Sequence, residues 1–84
     1  GNMARSVSLV VDRAGQVFLD DKPVDLAALG LQLSQLAAQD PDTEVQLRAD
    51  RAVPYGQVVE VMGVAQKAGL SRIGFIADNR PATR

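Results

Sequence analysis

Residues 48–78, RADRAVPYGQVVEVMGVAQKAGLSRIGFIAD, decide the fold of this chain because they join two strands through one helix. Pro54 is predicted to open that helix, since a proline at the first helical position lacks an N–H that would have no partner there. Apolar side chains then recur over a wide arc of the helix. Gly69 is predicted to end it in a left-handed conformation, with Leu70 making the apolar contact that accompanies such an end. The chain then returns to the sheet through a strand over residues 73–77.

This stretch also carries a resemblance to a known family. It contains the pattern RAD-x-x-VPYG-x-VV-x-VM-x-x-A-x-x-AG-x-x-x-IGF, preceded at residues 12–24 by D-x-x-G-x-V-F-L-x-x-x-P-V. Together these pieces resemble the C-terminal periplasmic domain of the ExbD/TolR family, over roughly residues 7–77. Each piece alone is a weak signal, so the resemblance rests on their order and spacing, and it fits ExbD and TolR equally.

The resemblance implies a non-enzymatic subunit of an envelope machine. Such a subunit is a single-pass inner-membrane protein with this domain in the periplasm, so the chain is expected to be a fragment that lacks the membrane helix. The expected partners are an ExbB/TolQ-type membrane protein, a TonB/TolA-type periplasm-spanning protein and a second copy of the chain. The machine uses the proton-motive force for biopolymer transport or envelope maintenance. TolR-like proteins are also associated with peptidoglycan, although no residue of this sequence points to that ligand.

Composition excludes several classes of function. The chain has 84 residues, a formal net charge of -1, one tyrosine, two phenylalanines and no tryptophan, so it offers neither a basic field nor a stacking platform for nucleic acid. It has no cysteine and no histidine, which removes thiol nucleophiles, thiolate and imidazole metal ligands and the usual general base. No cofactor or metal site is expected.

The remaining pattern predicts an α+β fold. Strands are expected over residues 6–11, 16–20 and 44–49, in addition to residues 73–77, because apolar and polar side chains alternate there. Asp25 is expected to cap the first helix, whose apolar residues recur at spacings of three and four. The order β-β-α-β-α-β then gives a two-layer sandwich, with a mixed four-stranded sheet and both helices on one face.

The sequence also suggests domain boundaries. Residues 1–5 are expected to be a tag remnant or linker, residues 6–78 the folded domain and residues 79–84 a flexible tail.

The face of the sheet that lies away from the helices is the candidate contact surface. Val10, Phe18 and Ile76 are expected to point to that face, where they either meet a partner or are ordinary surface apolar residues. Pro23 and Val24 are expected to lie at an edge of the sheet, because proline cannot donate to a strand ladder.

Nothing in the sequence supports catalysis. Asp50 follows a strand end, as active-site acids often do, but its carboxylate is more simply explained as an acceptor for amides of the loop that follows. Tyr55 is read as a half-buried packing residue or as a hydrogen-bonding tip at the start of the second helix. The alternative function is a stand-alone small-ligand-binding or regulatory α+β module.

Overall fold

The computed structural model describes residues 5–76 of the chain. Within that range the chain forms five strands and two helices, in the order β1 (Ser6–Val11), β2 (Val17–Leu19), β3 (Lys22–Val24), α1 (Leu26–Gln39), β4 (Glu44–Ala49), α2 (Tyr55–Lys67) and β5 (Arg72–Ile76). The predicted α+β class is confirmed. The predicted tail at residues 79–84, and all but the last residue of the predicted tag remnant or linker at residues 1–5, lie outside the described residues.

The strands form one mixed sheet in the order β3-β2-β1-β4-β5. The β1–β2 and β2–β3 pairs are antiparallel, whereas the β1–β4 and β4–β5 pairs are parallel. The helices α1 and α2 therefore connect strands that run in the same direction, as crossovers of this length do. In the described part of the chain, β3 and β5 are the outermost strands and carry the two free edges of the sheet.

The prediction of four strands is wrong, because residues 22–24 add a short edge strand. Leu19 pairs with Lys22 across a two-residue turn formed by Asp20 and Asp21. The φ angles of these two aspartates are 48° and 73°. Positive φ at both central residues gives a turn whose twist matches that of the strands it joins.

This second hairpin is held by Asp20 as well as by its own ladder. The Oδ1 atom of Asp20 accepts a hydrogen bond from the backbone N–H of Ser8 at 2.9 Å, and the N–H of Asp20 donates to the Ser8 carbonyl at 2.9 Å. The hairpin is difficult to predict from the sequence, because two adjacent aspartates are a weaker turn signal than Asn-Gly. Pro23 lies in the middle of β3, an outermost strand of the sheet, as its expected position at an edge requires.

The core lies between the two helices and one face of the sheet, which we call the inner face. Strand residues of that face are buried, namely Val7, Leu9, Val11, Val17, Leu19, Val45, Leu47 and Ala49. The helices add Leu29, Leu33, Val58, Val61 and Ala65 to the same cluster, so the predicted placement of both helices on one face is confirmed. Burying a leucine contributes about 1.5–3 kcal/mol relative to leaving it exposed. The opposite face, the outer face, has no covering layer within residues 5–76.

Helix α1 is bounded by hydrogen bonds at both ends. The Oδ1 atom of Asp25 accepts from the N–H of Ala28 at 2.7 Å, which satisfies one of the free amides of the first turn. At the other end the helix stops at Asp40, before a proline. The completely buried Thr43 then donates its hydroxyl to the Asp40 carbonyl at 2.7 Å, which fixes the turn into β4.

The end of α2 determines where β5 begins. Gly69 has a φ of 108°, and its N–H donates to the Gln66 carbonyl at 3.1 Å. The N–H of Leu70 reaches back to the Ala65 carbonyl at 3.1 Å, and the Leu70 side chain is fully buried. A left-handed residue followed by a buried apolar one is a common helix end, and here it directs the chain into the outermost strand of the sheet.

Candidate functional site

The outer face carries a row of residues that crosses all five strands. Strand pairing aligns Pro23 with Phe18, Phe18 with Val10, Val10 with Arg48 and Arg48 with Ile76. We call this set the outer row. Three of the predicted contact residues, Phe18, Val10 and Pro23, lie side by side, whereas the exposed Arg48 separates them from Ile76. The apolar part of the row is therefore smaller than the sequence suggests.

Val24 does not belong to the outer row. It pairs with Val17, whose side chain is buried on the inner face, and it packs in part against the core. Of the two residues predicted to lie at an edge, only Pro23 faces outward. Strand β3 is also short and contains a residue without an N–H, so its edge offers few groups for pairing.

The other free edge belongs to β5, which is longer and contains no proline. A strand at the edge of a sheet presents unpaired N–H and C=O groups that can pair with another extended segment. Gly74 in the middle of β5 has open space where a Cβ would be, with no heavy atom within 4 Å of that position. Nothing in the described part of the chain covers this edge.

A cleft opens next to the β5 edge, and we call it the α2–β5 cleft. It has a volume of about 480 Å³ and is lined by Ala49, Asp50, Arg51, Val53, Tyr55, Val58, Met62 and Phe75. Buried residues of β4, of the following loop and of α2 form its apolar floor. Two aromatic side chains stand open beside it, since Tyr55 is 81% exposed and Phe75 is 52% exposed.

Two aromatic residues are therefore more exposed than the sequence suggests. Tyr55 was read as half-buried packing or a hydrogen-bonding tip, but it stands largely free because it is the first residue of α2. Phe75 pairs with the buried Leu47, which places its side chain on the inner face, toward the helices. It nevertheless remains half exposed, because β5 is the outermost strand among the described residues and none of them covers its far side.

The loop beside the cleft is built by Asp50. Its Oδ1 atom accepts from the N–H of Ala52 at 2.9 Å, and its carbonyl accepts from the N–H of Val53 at 3.0 Å. The carboxylate thus serves the loop, as the simpler interpretation of the sequence has it. Pro54 follows as the N-cap with a ψ of 141°, so α2 begins one residue later than predicted.

Sequence reasoning missed a contact that ties α2 to the first hairpin. The Nε2 atom of Gln57 donates to the carbonyl of Gly15 at 2.8 Å. Gly15 has a φ of 89°, and a Cβ at that position would lie 3.0 Å from the Gln57 Nε2 atom. The sequence indicates the turn at Gly15, but nothing in the sequence indicates the role of Gln57, because the two residues lie 42 positions apart in the chain.

Two features are absent from residues 5–76. No three acidic, histidine or cysteine side chains come together in a group that could hold a metal ion. Neither α1 nor α2 combines the length and the apolar composition that crossing a bilayer demands.

The geometry can be compared with known proteins. Residues 4–79 match the family model described as Biopolymer transport protein ExbD/TolR, a range that contains every strand and helix of the fold. The chain belongs to the ExbD/TolR family. The resemblance predicted from residues 7–77 is thereby confirmed.

Curated relatives of this ExbD/TolR chain carry both names. It is similar to Biopolymer transport protein ExbD of Pseudomonas aeruginosa, with 35% identity over 66 residues, which is 79% of this chain and 50% of the relative. Biopolymer transport protein exbD1 of Xanthomonas campestris pv. campestris is 32% identical over 74 residues, covering 88% and 53%. Tol-Pal system protein TolR of Pseudomonas aeruginosa is 38% identical over 58 residues, covering 69% and 40%. The chain spans about half the length of the curated relatives it matches.

Proposed function

We propose that this chain is the periplasmic domain of an inner-membrane ExbD/TolR-type subunit. In this proposal the subunit works with an ExbB/TolQ-type membrane protein and helps couple the proton-motive force to a TonB/TolA-type envelope-spanning protein. The observation that carries the proposal is the free edge of β5 in a domain of that family. The relatives' names supply the two processes, biopolymer transport and the Tol-Pal system.

The proposed role of the domain is docking, without catalysis. The chain contains no histidine and no cysteine, so the usual nucleophile and base pairs are absent from its composition. Asp50, the acid in the most suggestive position, is exposed and holds the N–H of Ala52. In this proposal the domain acts by binding other proteins through two surfaces, the β5 edge and the outer row.

The β5 edge is the proposed site for an envelope-spanning partner. An extended segment can add to a free sheet edge, with main-chain hydrogen bonds supplying affinity and the side-chain positions supplying specificity. Strand β5 pairs with β4 over its whole length, from Arg72 to Ile76, so its backbone is already in the extended conformation that a further strand would pair with. The β3 edge is the weaker candidate because of its length and its proline.

The outer row is the proposed surface for a homodimer. Phe18 and Val10 are half-buried only by their neighbours in the sheet, and a second copy that covered them would bury more apolar area. Arg48 within the row requires an acidic or polar group opposite it, because an unpaired buried charge is costly. Glu44 lies on the same face, two rows away along β4, and could supply that group from the second copy.

The alternative function, a small-ligand-binding module, is favoured by one observation. The α2–β5 cleft is concave and largely apolar, with a few polar groups at its rim, as ligand sites commonly are.

The proposal is tested by photo-crosslinking in the protein encoded by the natural gene. We expect p-benzoylphenylalanine in place of Gly74, on β5, where an added side chain meets open space, to capture an envelope-spanning protein that mass spectrometry can identify. The same group in place of Gln32, an exposed residue of α1 outside the sheet, is the matched control. Capture of the same proteins from both positions, or of none from β5, would refute docking at this edge.

The dimer is tested separately in solution. Phe18→Asp should shift sedimentation from dimer toward monomer while the helical circular dichroism signal is retained. Leu31→Asp changes an exposed leucine of α1 and should leave association unchanged. A wild-type domain that sediments as a monomer at high concentration would remove the outer row from the proposal.

A further inference from the structure

The inner face of the sheet carries an apolar row that is incomplete at its last position. Strand pairing aligns Leu19 with Leu9, Leu9 with Leu47 and Leu47 with Phe75. The exposed fractions along this row are 7%, 0%, 0% and 52%. The first three side chains are covered by their neighbours and by the helices, whereas no strand within residues 5–76 lies beyond β5 to cover Phe75.

The α2–β5 cleft borders Phe75 on the inner face, between α2 and the end of β4. Met62 and Tyr55 reach toward the cleft from α2, and Val53 and Val58 close its floor. Successive strands of a sheet are about 4.8 Å apart, and partner residues on neighbouring strands share a face. A residue placed beside Phe75 on an added strand would therefore project toward Met62 and Tyr55.

We propose that the α2–β5 cleft receives one apolar side chain of an extended partner segment that pairs with the β5 edge. This proposal rests on the docking of a partner strand at β5 proposed above, and it adds the rule by which that strand is selected. The partner must carry a large aliphatic or aromatic residue at the register of Phe75. The residues on either side of it point to the outer face and meet no pocket, so they are free to be polar.

A second requirement follows from the charges along β5. Arg72 lies on the outer face, three residues before Phe75. Its partner on the neighbouring strand β4 is Glu44. The other side of Arg72 faces the free edge. An acidic residue on the added strand beside Arg72 would form a favourable cross-strand pair. The segment recognised is therefore one with an apolar and an acidic residue three positions apart.

Two other concavities are poorer candidates for this role. One lies beside β3. Its lining includes Gln57 and Gly15, which are hydrogen-bonded to each other, and the acidic Asp25 and Glu60, so it is less apolar than the α2–β5 cleft. The other lies between α1 and α2, around Leu31, and does not meet a sheet edge.

The test combines an edge reporter with a change in the cleft. The reporter is p-benzoylphenylalanine in place of Gly74 in the protein encoded by the natural gene. An added side chain has open space at that position of β5, and the change leaves both Arg72 and the cleft intact. Tyr55→Ser removes an aromatic wall of the cleft, and the residue is exposed enough that the fold should be unaffected. Leu31→Ser is the matched control, because it also removes an exposed apolar side chain from a helix, away from β5.

We expect Tyr55→Ser to lower capture at position 74 about tenfold, the size of effect seen for an aromatic anchor at an interface. Leu31→Ser should leave capture unchanged. Undiminished capture in Tyr55→Ser and in Met62→Asp would overturn the cleft inference while leaving docking at β5 intact. Absence of any capture in the wild-type protein would overturn both. Capture of a small molecule by p-benzoylphenylalanine in place of Tyr55, with no peptide captured at position 74, would instead identify the cleft as a ligand site.

Discussion

Two glycines of the α2 segment should respond to the same substitution with opposite sign. Gly63 lies in the helix, and no heavy atom lies within 4 Å of where its Cβ would be. Gly69 follows the helix with a φ of 108°, and its Cβ would lie 3.3 Å from the Cβ of Ala37 on α1. Gly63→Ala should therefore raise the free energy of unfolding, and Gly69→Ala should lower it.

The magnitudes follow from the backbone and from the contact. Gly63→Ala should stabilise by about 0.5–1 kcal/mol, because glycine loses more conformational freedom in a helix. Gly69→Ala should cost about 1–2 kcal/mol for a left-handed conformation. The Ala37 methyl cannot rotate away, so overpacking should add about 1 kcal/mol. The total of about 2–3 kcal/mol corresponds to a fall in Tm of roughly 8–24 °C for a domain of this size.

Urea denaturation followed by circular dichroism measures these free energies. Gly69→Asn separates the two contributions, since asparagine tolerates the left-handed region but carries the same Cβ toward Ala37. Its stability should lie between those of the wild type and Gly69→Ala. Surface substitutions ordinarily change the free energy of unfolding by less than about 0.5 kcal/mol. If Gly69→Ala changes it by no more than that, neither the left-handed conformation nor the contact with Ala37 limits the residue at position 69.

Three further predictions concern hydrogen bonds. Gln57→Ala should lower the free energy of unfolding by about 0.5–1.5 kcal/mol, because it removes the hydrogen bond to the Gly15 carbonyl. Gly15→Ala should lower it more. A double-mutant cycle by urea denaturation should show a less than additive loss, because the alanine Cβ no longer meets the glutamine side chain. Asp25→Ala should cost about 1 kcal/mol through loss of the α1 cap, whereas Asp25→Asn should retain most of it in the same assay. Thr43→Val should lower stability in thermal melts by about 1 kcal/mol, because the valine cannot donate to the Asp40 carbonyl; equal stability of the two proteins would show that the hydroxyl contributes nothing.

Much of the fold could be predicted because the deciding signals are local. Alternation located β1 and β4 at the observed residues, and the glycine after α2 has the positive φ that its position implied. Asp25 accepts from the first turn of α1, as a cap must. Each of these features depends on a few neighbouring residues, so one sequence is enough to find them.

Strand β3 was missed because its evidence lies elsewhere in the chain. Residues 22–24 contain a proline and follow two aspartates, so their own composition argues against a strand. What stabilises the hairpin includes the bonds between Asp20 and Ser8 of β1. That pairing is fixed only once β1 and β2 are in register, and no local pattern reports it.

The exposure of Phe75 shows the same limit at the candidate site. Alternation correctly assigns Phe75 to the inner face, but a residue's face determines its burial only if strands lie on both sides of it. Strand order is non-local: β4 has neighbours on both sides and buries Leu47 completely, whereas β5 has one neighbour within residues 5–76 and leaves Phe75 half open. An apolar residue in this situation costs solubility in the isolated domain, so covering it would favour any strand that docks at β5. The free edge and the half-covered phenylalanine are therefore one feature of the sheet, and a partner that uses one must contact the other.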